Sequence, residues 1–325
     1  MNVLVTGGAG YIGGTVSTIL MQAGHKVTVL DNLCHSKLHE LPAGVDFVQA
    51  DIADRPRVES LLRELKPDGV LHFAALIEAG DSMRVPEVYF RNNTASTLAL
   101  LEAMLATGVD KIVFSSTAAV YGEPKSTPIL ETADLAPTNP YGESKLLVEH
   151  MLRWFNKLHG LRYAALRYFN VAGALPNRGE AHEPESHIIP LILDVAIGRR
   201  EKIFIFGEDY DTPDGTCIRD YIHVADLADA HILALQALET TDKMIYNLGN
   251  GSGFSVKQVI ESARRVTGHA IPVEIKDRRP GDPARLVASS EEAKKNLGWT
   301  PKHPNLDDII ASAWTWHQQL HKPSA

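Results

Sequence analysis

The chain is expected to fold as an α/β protein, a doubly wound parallel sheet followed by a smaller mixed α/β C-terminal domain. Three observations lead there. Short apolar runs alternate with segments of helical periodicity as far as about Val171, a glycine-rich turn joins the first run to the first helix, and small, hydroxyl or acidic residues close the runs.

The first element is Val3-Leu4-Val5, ending in Thr6. Gly7-Gly8-Ala9-Gly10-Tyr11-Ile12-Gly13 follows, and Ile12, Val16, Ile19, Leu20 and Ala23 then recur at the spacing of one helix face. Strand, glycine turn and helix in this order suit a dinucleotide. Gly7 supplies the unusual dihedrals of the turn, Gly10 lets the backbone approach a pyrophosphate, and Gly13 lets helix and strand pack closely. The N–H groups of the helix start would face the phosphates. The second run, Lys26-Val27-Thr28-Val29-Leu30, ends at Asp31. A carboxylate there accepts bonds from a ribose diol and disfavours a 2′-phosphate, so NAD is expected rather than NADP. Glycines at this spacing also serve turns that merely permit packing; the acid at a strand end is more than packing requires.

Residues 45–50 read as a strand running into Asp51-Ile52, and residues 55–65 as a helix stopped by Pro67-Asp68-Gly69. Val70-Leu71-His72-Phe73 is a buried strand ending in Ala74-Ala75, small enough for a dinucleotide to pass close by. A long helix is expected over residues 86–107, carrying Asn92 and Asn93 and closed by Gly108. Lys111-Ile112-Val113-Phe114 is the next strand, terminating in Ser115-Ser116-Thr117, and a helix over 141–159 and a strand over 163–169 continue the alternation. In such a sheet ligands sit at the C-terminal strand ends, where Asp31, Asp51, Phe73, Ser115 to Thr117 and Phe169-Asn170 fall.

From about Val171 the texture changes. Residues 172–185 are rich in Gly, Pro and charge, which marks a loop or domain crossing. A helix over 187–197, a strand Ile203–Phe206, a polar loop over 208–216, a helix over 225–238, a strand over 245–248 and a helix over 255–267 follow. The expected division is a dinucleotide-binding domain over residues 1–171, with 215–250 returning to it, and a second domain over 172–325.

With 325 residues the chain can bury a substantial core. A formal net charge of -8, with no basic cluster longer than Arg199-Arg200, argues against a nucleic-acid surface. Cys34 and Cys217 show no paired spacing, which suits a reducing compartment and gives neither a disulfide framework nor a zinc site. Nothing near Cys34 in sequence would activate it as a nucleophile. No signal peptide and no run of 18 apolar residues is apparent, so a cytoplasmic protein without membrane contact is expected.

The chemistry centres on the helix that Asn139-Pro140 opens, with proline at its first position. Tyr141 and Lys145 stand four apart on one face. A tyrosine with a pKa near 10 is a poor base at neutral pH, and a nearby cation favours its phenolate. Lowering that value by about three units takes roughly 4 kcal/mol, comparable to one unit charge at about 4 Å with an effective dielectric near 20. Lys145 would supply one such charge and an oxidised nicotinamide a second, while the Thr117 hydroxyl would share the proton. A Tyr and a Lys at this spacing often occur by chance; the dinucleotide turn ahead of them gives the pair its meaning.

Several motifs extend this reading: Gly7-x-x-Gly10-x-x-Gly13, Asp31-Asn32-Leu33-Cys34, Asp51-Ile52, His72-Phe73-Ala74-Ala75, Ser115 through Gly122, Tyr141-x-x-x-Lys145, Arg167-Tyr168-Phe169-Asn170 and Arg219 through Val224. On these residues the chain resembles the extended short-chain dehydrogenase/reductase superfamily, with its Rossmann sheet, and within it the UDP-glucose 4-epimerase family, over almost the whole length to near Trp299. The resemblance implies an NAD held throughout turnover. Tyr141 would take the proton of the sugar C4 hydroxyl while C4 gives up hydride, and the 4-keto sugar would swing over before hydride returns to its other face. UDP-galactose and UDP-glucose would thereby interconvert.

The resemblance further implies catalytic roles for Tyr141, Lys145 and Thr117. Cofactor contacts are implied from Gly7, Gly10, Tyr11, Ile12, Gly13, Asp31, Asn32, Cys34, His35, Ser36, Asp51, Ile52, Phe73, Ala74, Ala75, Asn92, Ser115, Tyr141, Lys145 and Tyr168. Substrate contacts are implied from Thr117, Tyr141, Phe169, Asn170, His187, Ile188, Phe204, Phe206, Arg219, Tyr221, Arg279 and Asp282. Arg219 and Arg279 would clamp the diphosphate as planar donors. Phe204 and Phe206 would wall the uracil or else pack in the core. No metal is implied. A homodimer is implied through helices 86–107 and 141–159, whose Leu98, Leu101, Met104, Leu105, Leu147, Met151, Trp154 and Phe155 would serve either that interface or the core.

This chain departs from the pattern at three places. Ile77-Glu78 stands where many relatives carry Lys. His187 replaces Asn, either to bond the diphosphate or sugar or as a satisfied helix-start histidine. Leu286 replaces a bulky Tyr in the sugar pocket, which would leave room for an N-acetyl group and hence for UDP-GlcNAc. Nucleotide-sugar 4,6-dehydratases and UDP-glucuronate decarboxylases share the fold but place an acid near the threonine, where Ala118 and Ala119 cannot move protons. A non-catalytic dinucleotide sensor would not need Thr117, Tyr141 and Lys145 together. There is no G-x-x-x-x-G-K-[ST] loop, H-E-x-x-H pair or G-x-S-x-G elbow, and His182 and His187, five apart, have a poor metal spacing on helix or strand.

Overall fold

The structure is a computed structural model and describes residues 1–38, 41–279 and 282–322. Its centre is a seven-stranded parallel sheet built from β1 (Asn2–Thr6), β2 (Lys26–Asp31), β3 (Asp46–Gln49), β4 (Gly69–His72), β5 (Lys111–Thr117), β6 (Arg162–Tyr168) and the strand Lys243–Leu248. The order across the sheet is Lys243–Leu248, β6, β5, β4, β1, β2, β3. The winding therefore reverses between β1 and β4, and a crevice opens there beyond the strand ends.

Helices cover both faces, which is why the inner strands read as continuous apolar runs; every residue of β5 is buried. On one face Val16 and Leu20 of helix Tyr11–Gln22 meet Leu227 and Leu235 of helix Val224–Ala237. On the other, helices Arg55–Leu65, Ser96–Thr107 and Pro140–His159 contribute Leu61, Leu100, Met104 and Leu152. Local chemistry fixes the helix starts. The Asp54 carboxylate accepts the Arg57 N–H at 3.1 Å, the Asn139 side chain accepts that of Gly142 at 2.8 Å, and Ser255 and Gln258 form a reciprocal capping box. A further core joins helices Ile188–Ala196, Val256–Thr267 and Leu306–Leu320 to the parallel strands Ile203–Phe206 and Val273–Lys276, with Ile192, Ile205, Ile260 and Ile309 inside.

Among the differences from expectation two stand out. The segment 86–107 is not one regular helix but Pro86–Tyr89, a wide π turn over Phe90–Ala95, and Ser96–Thr107. The π turn lets buried Asn93 clamp the loop after β4. Its Oδ1 accepts the Leu76 N–H at 2.8 Å, and its Nδ2 donates to the Leu76 carbonyl at 2.9 Å and to the Ser144 hydroxyl at 3.0 Å. Helix Leu306–Leu320 was not anticipated. Of the apolar residues assigned to core or interface, Leu101 and Met104 are fully buried, whereas Leu98, Leu105 and Trp154 are exposed at 37, 36 and 50%. No helix among the described residues is long and apolar enough to cross a membrane.

Candidate active site

The glycine turn is built as close approach demands. Gly7 has φ +71°, and a Cβ there would lie 2.5 Å from the Ala74 nitrogen, so the loops after β1 and β4 touch backbone to backbone. A Cβ on Gly13 would lie 2.4 Å from the Gly7 carbonyl oxygen. Gly10 precedes helix Tyr11–Gln22, whose start has neither a capping side chain nor an acid in its first turn. The positive end of the helix is thus offered to an anionic ligand. Asp31, buried at the end of β2, accepts the Ala9 N–H at 3.1 Å and the Leu33 N–H at 2.8 Å, which fixes its carboxylate at the rim. Asp51 accepts from Asn32 Nδ2 at 2.9 Å. The cradle, the helix start and the fixed acid fit a dinucleotide.

One cleft gathers every residue anticipated for the cofactor except Lys145. Lys145 lies behind it, its ammonium donating to the Ser115 carbonyl at 2.9 Å and standing 4.9 Å from the Phe114 ring centroid. His72, also outside the cleft, is a core residue bonded at both ring nitrogens, to Thr6 at 2.6 Å and Thr97 at 2.8 Å. Burial and the charge of Lys145 press it down to about 3, so it stays neutral.

β5 ends in Thr117, whose hydroxyl accepts the Ala119 N–H at 3.1 Å and caps the short turn Ala118–Tyr121. Helix Pro140–His159 packs tightly on that turn, since a Cβ on Gly142 would lie 2.6 Å from the Ala119 oxygen. This contact brings the Tyr141 phenol against the Thr117 hydroxyl. Burial pushes the phenol above its ordinary value, the hydrogen bond with Thr117 opposes the rise, and the charge of Glu78 adds to it. Burial also lowers the Lys145 ammonium to about 7. Lys145 was expected to favour the phenolate together with an oxidised nicotinamide; among this chain's own groups burial prevails and the phenol is raised. Both groups lose water, Tyr141 in the cleft and Lys145 behind it, and that loss disfavours the phenolate and the ammonium alike.

A second cavity holds Asn170, His187, Ile188, Phe204, Phe206, Arg219, Tyr221, Arg279 and Asp282, whereas Phe169, Thr117 and Tyr141 face the first cleft. Along Ile203–Phe206 the pleat sends Ile203 and Ile205 into the core and leaves Phe204 and Phe206 lining the cavity. Arg279 lies over the Phe206 ring, 3.9 Å from its centroid. The Arg219 guanidinium pairs with Asp282 and donates to the Ile218 carbonyl at 2.7 Å. Tyr11, Asn170, Val171, Glu180 and His187 line both spaces, which therefore adjoin. The Tyr11 hydroxyl donates to the Gly173 carbonyl at 2.6 Å across the junction.

Glu180 and Ser186 were missed as site residues, and Glu78, noted in the sequence only as a departure from the pattern, stands beside Ser186. Glu180 borders both cavities, and the Ser186 hydroxyl donates to Glu78 at 2.8 Å. The donor atoms of Glu180, His182 and His187 lie within 4.8 Å of one another, which corrects the spacing argument: the segment is an irregular loop, so neither helical nor strand periodicity applies. Burial works against the charged form of His187, but the bond with Glu185 and the charges of Glu180, Glu185 and Glu78 outweigh it and hold the ring up to about 9. His182 is raised too, burial being outweighed by its bond with Glu180. A protonated His187 suits an anion rather than a metal ion.

Residues 3–249 match the NAD dependent epimerase/dehydratase family. The chain belongs to that family. It is 53% identical to a UDP-glucose 4-epimerase of Streptomyces lividans over 322 residues, covering 98% of this chain and 97% of the relative. It superposes on a crystal structure of a UDP-glucose 4-epimerase with a TM-score of 0.96 at 50% identity, covering 98% of each chain. A UDP-glucose 4-epimerase from Stenotrophomonas maltophila, solved with bound NAD and formylated UDP-arabinopyranose, gives 0.96 at 43% identity, again over 98% of each chain.

Within this epimerase/dehydratase chain the Arg167 motif residue is a buttress. Its guanidinium grips buried Glu149 through Nε at 2.9 Å and Nη2 at 2.6 Å and donates to the Tyr121 hydroxyl at 2.9 Å, while Glu149 also accepts from Ser116 at 2.6 Å. The strand end carrying Ser115 to Thr117 is thus held from behind. Tyr168, at the end of β6, shares a hydrogen bond with the Ser115 hydroxyl. Leu286 lies outside both cavity linings and packs with Ala118 and Phe169.

Proposed function

We propose that this chain is an NAD-dependent isomerase that interconverts UDP-galactose and UDP-glucose. The observation that carries the reading is the meeting of Tyr141 and Thr117, at the mouth of a glycine-cradled cleft, with an adjoining cavity walled by two phenylalanines and two arginines. Residues 1–171 with 215–250 would hold the cofactor and the remainder the nucleotide-sugar. The helix start at Gly10 and the Asp31 carboxylate would take the pyrophosphate and a ribose diol. Arg219 and Arg279 would clamp the substrate diphosphate, and Phe204 and Phe206 would stack on its base. NAD, held by this cleft, would supply a reversible acceptor for the C4 hydride. Tyr141 removes the proton of the C4 hydroxyl and gives it back, with Thr117 steadying the phenol oxygen and Lys145 adding positive charge behind it.

Ala118 and Ala119 have no group with which to expel the C6 hydroxyl, which favours epimerisation over 4,6-dehydration. The small Leu286 side chain beside Phe169 favours acceptance of UDP-GlcNAc as well. The exposed Leu98, Leu105 and Trp154 support burial in a homodimer, and the free Cys34 and Cys217 suit a reducing cytoplasm. Incubation with UDP-galactose, UDP-glucose or UDP-GlcNAc, without added cofactor, tests the reading by epimer ratios. Free NADH or a 4-keto-6-deoxy product would replace it with a dehydrogenase or dehydratase.

A further inference from the structure

His317 lies near the end of helix Leu306–Leu320, and His321 follows at its C-cap, one turn further on the same face. Asp194 of helix Ile188–Ala196 stands opposite. Its Oδ1 is 3.0 Å from His317 Nε2 and 3.9 Å from His321 Nε2, and the three donor atoms lie within 4.8 Å of one another. Around a tetrahedral zinc ion with bonds of about 2.0–2.1 Å, ligand atoms sit about 3.3 Å apart. The three side chains are close to those places.

We propose that Asp194, His317 and His321 form a binding site for a borderline divalent transition-metal ion of the zinc type, at the wall of the second cavity, where His317 lies, and apart from Tyr141 and Thr117. Two imidazoles and one carboxylate favour zinc, cobalt or nickel over magnesium or calcium, which prefer oxygen donors. The ion would join two helices that both wall the second cavity, through Leu191 and Leu193 on one side and Ala313 and Trp316 on the other. Here burial, and for His321 the charge of Arg199 after it, holds both rings below their ordinary values, the reverse of His182 and His187.

Arg199 occupies the outer side of this cluster. Its Nε lies 3.2 Å from Asp194 Oδ1, and its Nη1 donates to His321 Nδ1 at 2.9 Å. With Nδ1 accepting, the neutral ring carries its proton on Nε2, facing Asp194. Metal binding at Nε2 moves that proton to Nδ1, which then repels the guanidinium. Arg199, 52% exposed, swings into water. The ion and Arg199 therefore compete for the same pair of ligands.

The test uses the full chain, stripped with a chelator, dialysed and titrated with Co²⁺ by visible absorption and with Zn²⁺ by calorimetry. The expected result is one ion per chain, a higher melting temperature with Zn²⁺, binding weakened at least about tenfold in His321→Gln and in Asp194→Asn, and binding tightened in Arg199→Gln. His321→Gln lies at the cap and partly exposed, and circular dichroism confirms that it folds. His182→Gln leaves the affinity unchanged. The proposal is overturned by no stoichiometric binding, by binding that survives His321→Gln and Asp194→Asn, by loss with His182→Gln, or by weaker binding in Arg199→Gln.

Discussion

Lys145→Met separates what the buried ammonium costs from what it does. Burial takes this group from an ordinary 10.5 to about 7, and only 3% of the residue is exposed. At about 1.4 kcal/mol per pKa unit, housing the charged form destabilises the fold by about 5 kcal/mol. Methionine keeps much of the shape but leaves the Ser115 carbonyl without its donor, which returns about 1–3 kcal/mol. A net gain of about 2 kcal/mol or more is expected below pH 7. Between pH 7 and 10.5 the unfolded chain carries more protons on this residue than the folded chain, so wild-type stability rises with pH and the advantage of the variant shrinks. Thermal melts of both proteins at pH 6 and pH 9 measure this. Turnover should meanwhile fall by about 10²–10⁴, because the variant removes the ammonium proposed to favour the Tyr141 phenolate. A variant less stable than wild type at pH 6, or one whose advantage is equal at both pH values, would refute the reasoning.

Tyr141→Phe is expected to lower turnover by at least about 10²–10⁴ while nucleotide-sugar affinity, measured by calorimetry, stays near wild type; a near-normal rate removes Tyr141 from the proton transfer. The charge of Glu78 raises the Tyr141 phenol, so Glu78→Gln should move the acidic limb of the kcat profile to lower pH; an alkaline shift or none counts against that field. Leu286→Tyr should suppress UDP-GlcNAc turnover at least about tenfold while sparing UDP-glucose, since a ring behind Phe169 overfills the packing there and pushes Phe169 into the first cleft. Equal losses on both sugars would remove Leu286 from sugar selection.

What could be read in the sequence was what short-range chemistry decides. Gly7, Gly10 and Gly13 with Asp31 lie within one strand-turn-helix-strand unit, and their geometry follows from local sterics. Helix Val256–Thr267 declares its own start through Ser255 and Gln258. The π turn at Phe90–Ala95 was not legible because it answers to a bond between Asn93 and the distant Leu76 backbone. Phe204 and Phe206 gave no hint of direction, since Ile-Phe-Ile-Phe has no polar alternation and only the pleat of the folded strand sorts the two faces. The burial of Lys145 was not legible for a related reason. Spacing places a cation beside a phenol, but only the three-dimensional packing reveals how little water is left to either.

The bond from the Tyr11 hydroxyl to the Gly173 carbonyl fastens the glycine turn to the segment that crosses between the two cavities. Because Tyr11 lines both spaces, that tie keeps their shared wall in one position whichever of them is filled.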